Sequence, residues 1–186
     1  MTEEIEFTRE EGENIVVKEK KYSRKIPKCV RIEEFKRLIE VIPKKDVIAR
    51  ISFLLAYGAG LRVAEVTRCN HEHFKSNSIF VPQSKYGVER FVPIPKGWRN
   101  EFNSQLPLKR SIRALQRRFV KYKQLAKLPE HYTFHSLRHG FAVRCLESGM
   151  PINQVQVLMG HANLATTSVY TKANPSDALK SYEDLF

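Results

Sequence analysis

The sequence predicts a mainly helical α+β fold with one small antiparallel sheet. Two observations lead there. Beyond residue 31, apolar residues recur at helical spacing in most segments, and Pro43, Gly58, Gly60, Gly149 and Gly160 punctuate them. Only residues 79–81 and 90–94 form β-rich runs, and the turn-forming stretch Pro82-Gln83-Ser84-Lys85-Tyr86-Gly87 separates them.

Residues 1–28 lack helical periodicity and switch from acidic to basic. Six Glu and one Arg lie in residues 1–13, followed by Lys18, Lys20, Lys21, Arg24, Lys25 and Lys28. Ile5 and Phe7 could face residues 15–17 across Gly12 in a hairpin, but a solvated arm or linker is preferred to a nucleic-acid-contacting arm. Ile32, Phe35, Leu38, Ile39 and Ile42 then mark a helix stopped by Pro43. Asp46 can cap a second helix, with Ile48, Ile51, Leu54 and Leu55 as its apolar residues and an end near Gly58 and Gly60. Arg62 opens a short helix through Val66. Residues 79–81 and 90–94 form a hairpin with Lys85 near its tip.

Residues 110–127 give the clearest amphipathic helix. Ile112, Leu115, Phe119 and Tyr122 occupy one face, and Arg110, Arg113, Arg117, Arg118 and Lys121 the other. A helix follows Thr133 and ends at Gly149, with Leu137, Phe141, Cys145 and Leu146 as its buried stripe. Residues 151–158 make a short helix closed by Gly160. Leu179, Tyr182, Leu185 and Phe186 repeat at helical spacing, for docking on a neighbouring protomer or packing back on the chain's own core. The expected organisation is an arm or linker (1–28), one compact domain (29–175) and a tail helix (176–186).

With 42% apolar residues, 186 residues suffice for one sizeable core. Thirty-two Lys and Arg against 20 acids give a net charge of +12, which favours a polyanionic partner, nucleic acid first. The charge is localised: residues 96–127 hold ten Lys or Arg and one acid, Glu101. Cys29, Cys69 and Cys145 are odd in number and widely spaced, which suits a reducing cytoplasm better than a disulfide framework. The longest apolar stretch, residues 51–61, is about half the ~20 residues that span a bilayer, so it reads as a core helix and no membrane partner is expected.

The chemistry gathers in Arg62, Lys85, His135-Ser136-Leu137-Arg138-His139, Leu158-Met159-Gly160-His161 and Tyr170. Attack on a phosphodiester builds negative charge on its non-bridging oxygens, and its leaving oxygen needs a proton. Arginine suits the first task because its planar fork bonds two oxygens and keeps its charge, so Arg62 and Arg138 are the candidate pair. His135, three residues before Arg138 on a helix, shares its face, and an imidazole with a pKa near ~6.5 can accept a nucleophile's proton. Lys85 could protonate the leaving 5′ oxygen if neighbouring positive charge lowers its pKa from ~10.4. His161 would donate a hydrogen bond to the phosphate. Tyr170 would supply the nucleophile, its phenol near ~10 needing such a base and cationic surroundings.

In this order, from Gly-Leu-Arg62-Val-Ala-Glu65 through Lys85, His135-x-x-Arg138-His139 and Leu-Met-Gly-His161 to Tyr170, the set resembles the catalytic domain of the tyrosine recombinase and phage-type integrase family. The similarity runs from about residue 32 to 175. It implies that Tyr170 attacks a DNA phosphate to give a 3′-phosphotyrosyl link and a free 5′-hydroxyl, religated without ATP, metal or other cofactor. It also implies Arg62 and Arg138 as phosphate binders, Lys85 as general acid, His135 as base, His161 as transition-state donor, and Glu65 and His139 as supporting partners. The implied partner is double-stranded DNA, with a homo-oligomer, a tetramer, assembled on it. Family members usually carry a helical DNA-binding domain before the catalytic one, for which this sequence has no room; an excised fragment, a short member or a degenerate copy is expected.

Other readings compete. His135 and His139, and His71-Glu72-His73, have spacings that invite zinc, yet no Glu follows His135 and an i, i+2 pair on a helix points to different faces. Phe74, Phe80 and Phe91 are most simply core. Functional alternatives are a type IB topoisomerase-like nicking and closing enzyme and an inactive DNA-binding relic of the same fold.

Overall fold

The computed structural model describes residues 29–83, 88–160 and 175–186. Seven helices and a two-stranded sheet fill these segments: α1 Ile32–Glu40, α2 Val47–Gly58, α3 Val63–Arg68, β1 Ser78–Val81, β2 Arg90–Pro93, α4 Ile112–Leu125, α5 His135–Glu147, α6 Ile152–Met159 and α7 Pro175–Leu185. Single 3₁₀ stretches cover His71–His73 and Asn100–Gln105. The expected hairpin across Gly12, the rest of the basic and acidic arm, and residues Lys85, His161 and Tyr170 lie outside the described residues.

α2 is the central element because it is apolar on nearly every side, which only a fully surrounded helix tolerates. It buries Ala49, Ile51, Phe53, Leu55, Ala56 and Tyr57, and packs against α3, α4 and α5. Asp46 caps it as expected, accepting from the Ala49 N–H at 3.2 Å. The same carboxylate accepts from the Tyr122 hydroxyl at 2.8 Å and pairs with Arg118 at 3.4 Å, tying α4 to the start of α2. Aromatic edges around Phe53, from Phe119, Tyr122 and Phe134, complete this core.

β1 and β2 pair antiparallel with Val81 opposite Arg90, Phe80 opposite Phe91 and Ile79 opposite Val92. Alternation sends Ile79, Val81, Arg90 and Val92 inward. Phe80 and Phe91 therefore meet on the outer face, and the expectation that these two form core is corrected by the strand period, whereas Phe74, half-buried, packs against the main core and stacks on Trp98. Ile32, Ile112 and Leu146, each placed on an apolar stripe, are exposed among the described residues.

A second, smaller core joins α5, α6 and α7 through Phe141, Cys145, Val155, Leu158, Ala178 and Tyr182. Tyr182 stacks on Phe141 with ring centroids 5.8 Å apart, and Arg144 donates to its hydroxyl at 3.0 Å. The tail helix thus packs back on this chain's own core. All three cysteines are free and buried, and no described helix is long and apolar enough to cross a membrane.

Candidate active site

The site is built where the end of α2, the start of α3 and the end of α6 converge. Gly60, at φ +68, turns the chain so that the Leu61 N–H returns to the Leu55 carbonyl at 3.2 Å, and a Cβ there would lie 2.6 Å from the Phe141 ring. This tight exit places Arg62 at the N-cap of α3. Glu65, three residues on, reaches back to accept from the Arg62 backbone N–H at 2.8 Å, as the acid of a capping box does.

Glu65 is almost fully buried, and arginines surround it. Its Oε1 accepts from Arg62 Nη1 and Arg90 Nη1, both at 3.0 Å. Its Oε2 accepts from Arg90 Nη2 at 2.8 Å and lies 3.8 Å from Arg138 Nη1. A buried carboxylate on its own would resist ionising. Here burial pushes Glu65 up, but the hydrogen bonds and charge of Arg90, helped by the Arg62 N–H and Arg138, outweigh it and hold the carboxyl at about 2.

The same three arginines converge on the end of α6. Arg90 Nε donates to the Leu158 carbonyl at 2.7 Å, Arg138 Nη2 to the Met159 carbonyl, and Arg62 Nη2 to the Gly160 carbonyl at 3.0 Å. The last carbonyls of a helix have no partner within it and carry partial negative charge, so three successive ones make a natural seat for guanidinium groups. Arg138 Nη1 also donates to the Gly60 carbonyl at 2.6 Å, closing the ring back to the end of α2.

Three guanidinium groups face one carboxylate, so the cluster carries excess positive charge. Burial lowers Arg138 to about 9, and the charges of Arg62 and Arg90 push the same way, yet it stays protonated at neutral pH. An arriving anion would offset that repulsion. Arg62 is the most open of the three, its side chain 28% exposed against 2% for Arg90 and Arg138.

The structure thus brings Arg62, Glu65 and Arg138 together. His135 begins α5 one turn before Arg138; its exposed ring meets that of His139 edge-on, with centroids 4.5 Å apart. Burial and the Arg138 charge lower the pKa of His139. Ser136 fixes the start of this helix by accepting from the Thr133 N–H at 3.1 Å. Arg90 was missed by sequence reasoning; the available signal was its inward position on a strand beside Val92, where a charge must find a partner.

On α4, Arg113, Arg117 and Lys121 are exposed, as is Arg110 just before the helix. Arg118 departs from the expected stripe, since one more position around the helix turns it toward Asp46. His73 Nδ1 accepts from the Asn70 N–H at 3.2 Å, a turn-closing role, and no three His, Cys, Asp or Glu side chains group as metal ligands among the described residues.

The comparisons with known proteins bear on family and fold. The model of the phage integrase family matches residues 28–177. A tyrosine recombinase XerA of Thermococcus kodakarensis is 35% identical over 187 residues, covering 90% of this chain and 66% of that protein. XerA relatives from Pyrococcus furiosus and Thermococcus onnurineus are 68% and 64% covered, so the chain spans about two thirds of their length. Among solved structures, the integrase of mycobacterium phage Brujita superposes with a TM-score of 0.68 at 24% identity, over 89% of this chain and 60% of that one. A lambda integrase tetramer bound to a Holliday junction gives 0.58 at 20% identity, over 72% and 46%. These structural likenesses speak for the fold, and the family match together with the XerA identity goes further: the chain belongs to the phage integrase family.

Proposed function

We propose that this chain is the catalytic domain of a tyrosine recombinase that cuts and rejoins double-stranded DNA through a phosphotyrosyl intermediate. The observation that carries the reading is the pair Arg62 and Arg138, drawn together by Glu65 and the α6 carbonyls with positive charge to spare. A phosphodiester entering from the Arg62 side would meet a preorganised donor set whose charge matches that built up during attack.

In this reading the Tyr170 phenol loses its proton to His135, and its oxygen attacks phosphorus. The bond to the 5′ oxygen breaks, Lys85 protonates that oxygen, and His161 donates to the phosphate. The phosphotyrosyl link conserves the energy of the broken bond, so attack by another 5′-hydroxyl rejoins the strand without ATP or a metal. Arg110, Arg113, Arg117 and Lys121 would lie along the DNA backbone. A tetramer on DNA, as in the lambda integrase structure, is the assembly we propose for recombination.

The test is to incubate the chain and its Tyr170→Phe variant with supercoiled plasmid in EDTA, quench with detergent, and score relaxation and protein-linked DNA. Relaxation or adduct in the wild type alone supports the phosphotyrosyl chemistry at Tyr170; adduct formed equally by Tyr170→Phe refutes it. Plasmid relaxation with no recombinant product would assign a nicking and closing activity instead.

A further inference from the structure

We infer that Arg90 is the positioning residue of the phosphate site, and that residue 160 is a glycine because Arg90 occupies the space a side chain would need. The inference rests on Arg62 and Arg138 being the phosphate-binding pair. Arg90 itself has nothing to offer a substrate: it is buried, and each of its three guanidinium nitrogens already donates to Glu65 or Leu158. What it does is join two elements far apart in sequence, the acid of α3 and the end of α6.

Both of those elements orient the phosphate binders. Gripping both Glu65 oxygens from one side leaves the carboxylate a single orientation toward the Arg62 side chain and backbone N–H. Holding the Leu158 carbonyl fixes the following two, which seat Arg138 and Arg62. A lysine could neutralise Glu65, but its single ammonium cannot make two parallel bonds and a third at the planar angles of a guanidinium.

Gly160 fits the same account. Its φ of +59 already favours glycine, and a Cβ there would stand 2.8 Å from Arg90 Nη1 and 2.9 Å from its Cδ and Cζ. Because Arg90 is pinned to both Glu65 oxygens, it cannot swing aside without releasing them.

The experiment titrates inorganic phosphate into the protein while following the side-chain N–H signals of Arg62 and Arg138 by NMR, in wild type, Arg90→Lys, Arg90→Met, Gly160→Ala and the Arg90→Met/Gly160→Ala double variant. Amide exchange in the first turns of α2 and in α4 reports whether each variant is folded. Saturable shifts in the wild type are expected, with phosphate affinity falling about tenfold to a hundredfold in Arg90→Met, as when the partner that orients a metal ligand is removed. Arg90→Lys should fall nearly as far although it keeps the charge. Gly160→Ala should weaken binding more in the wild-type background than in Arg90→Met, where the pinned guanidinium is gone and only the cost of the left-handed backbone and of contact with the shorter side chain remains. A folded Arg90→Lys or Arg90→Met variant that binds phosphate as the wild type does would overturn the inference, as would a Gly160→Ala effect of equal size in both backgrounds. A wild type with no saturable shift would overturn the phosphate-pair reading itself, and the inference with it.

Discussion

Glu65→Gln isolates the charge that holds the arginine cluster together. The carboxyl is held at about 2 against an ordinary 4.5, and at ~1.4 kcal/mol for each tenfold change in proton affinity this corresponds to about 3 kcal/mol of stability at neutral pH. Because the folded-state value is depressed, that contribution is fully present above about pH 4.5 and is lost as the pH falls toward 2. Glutamine keeps the size but removes the charge, leaving three buried or half-buried guanidinium groups without an anion. The expected loss at pH 7 is about 3 kcal/mol, or a fall in Tm of roughly 6–12 °C for a chain of this length. Urea unfolding at pH 7, 5 and 3, followed by the fluorescence of Trp98, the one tryptophan, stacked 4.8 Å from Phe74, reads both quantities. The wild type should lose stability more steeply than Glu65→Gln between pH 5 and 3. A variant with the wild-type midpoint at pH 7, and the same steepness below pH 5, would refute the claim that Glu65 is ionised and anchors the cluster.

Two further outcomes separate structural from binding cations. Asp46→Ala removes a helix cap together with the Tyr122 and Arg118 bonds, and should cost about 1–2 kcal/mol in thermal unfolding without altering phosphate affinity at the arginine pair. Replacing Arg113, Arg117 and Lys121 by alanine should reduce the salt slope of DNA binding by about one for each phosphate that is no longer neutralised, whereas Arg118→Ala should lower stability and leave that slope nearly unchanged.

The helices were legible because each carries its own punctuation. Asp46 caps α2 and Gly160, left-handed, closes α6, both where the sequence placed them. Glu65 as a supporting partner came from the family resemblance, and the structure adds its local role as the capping acid that accepts from the Arg62 N–H. Arg90 and Arg118 were not legible, since the destination of a long cation depends on which element faces it: α3 and α6 in one case, the start of α2 in the other. Phe80 and Phe91 were misplaced for a related reason: hydrophobicity marks a strand, but only the period, together with the cover over each face, tells which side is buried.

The most direct test of the central claim is to identify the residue that carries the DNA. After incubation with supercoiled plasmid in EDTA, detergent quenching and nuclease digestion, mass spectrometry of the peptides should find a 3′-linked nucleotide on Tyr170. A nucleotide on any other residue, or an adduct undiminished in Tyr170→Phe, would contradict the account.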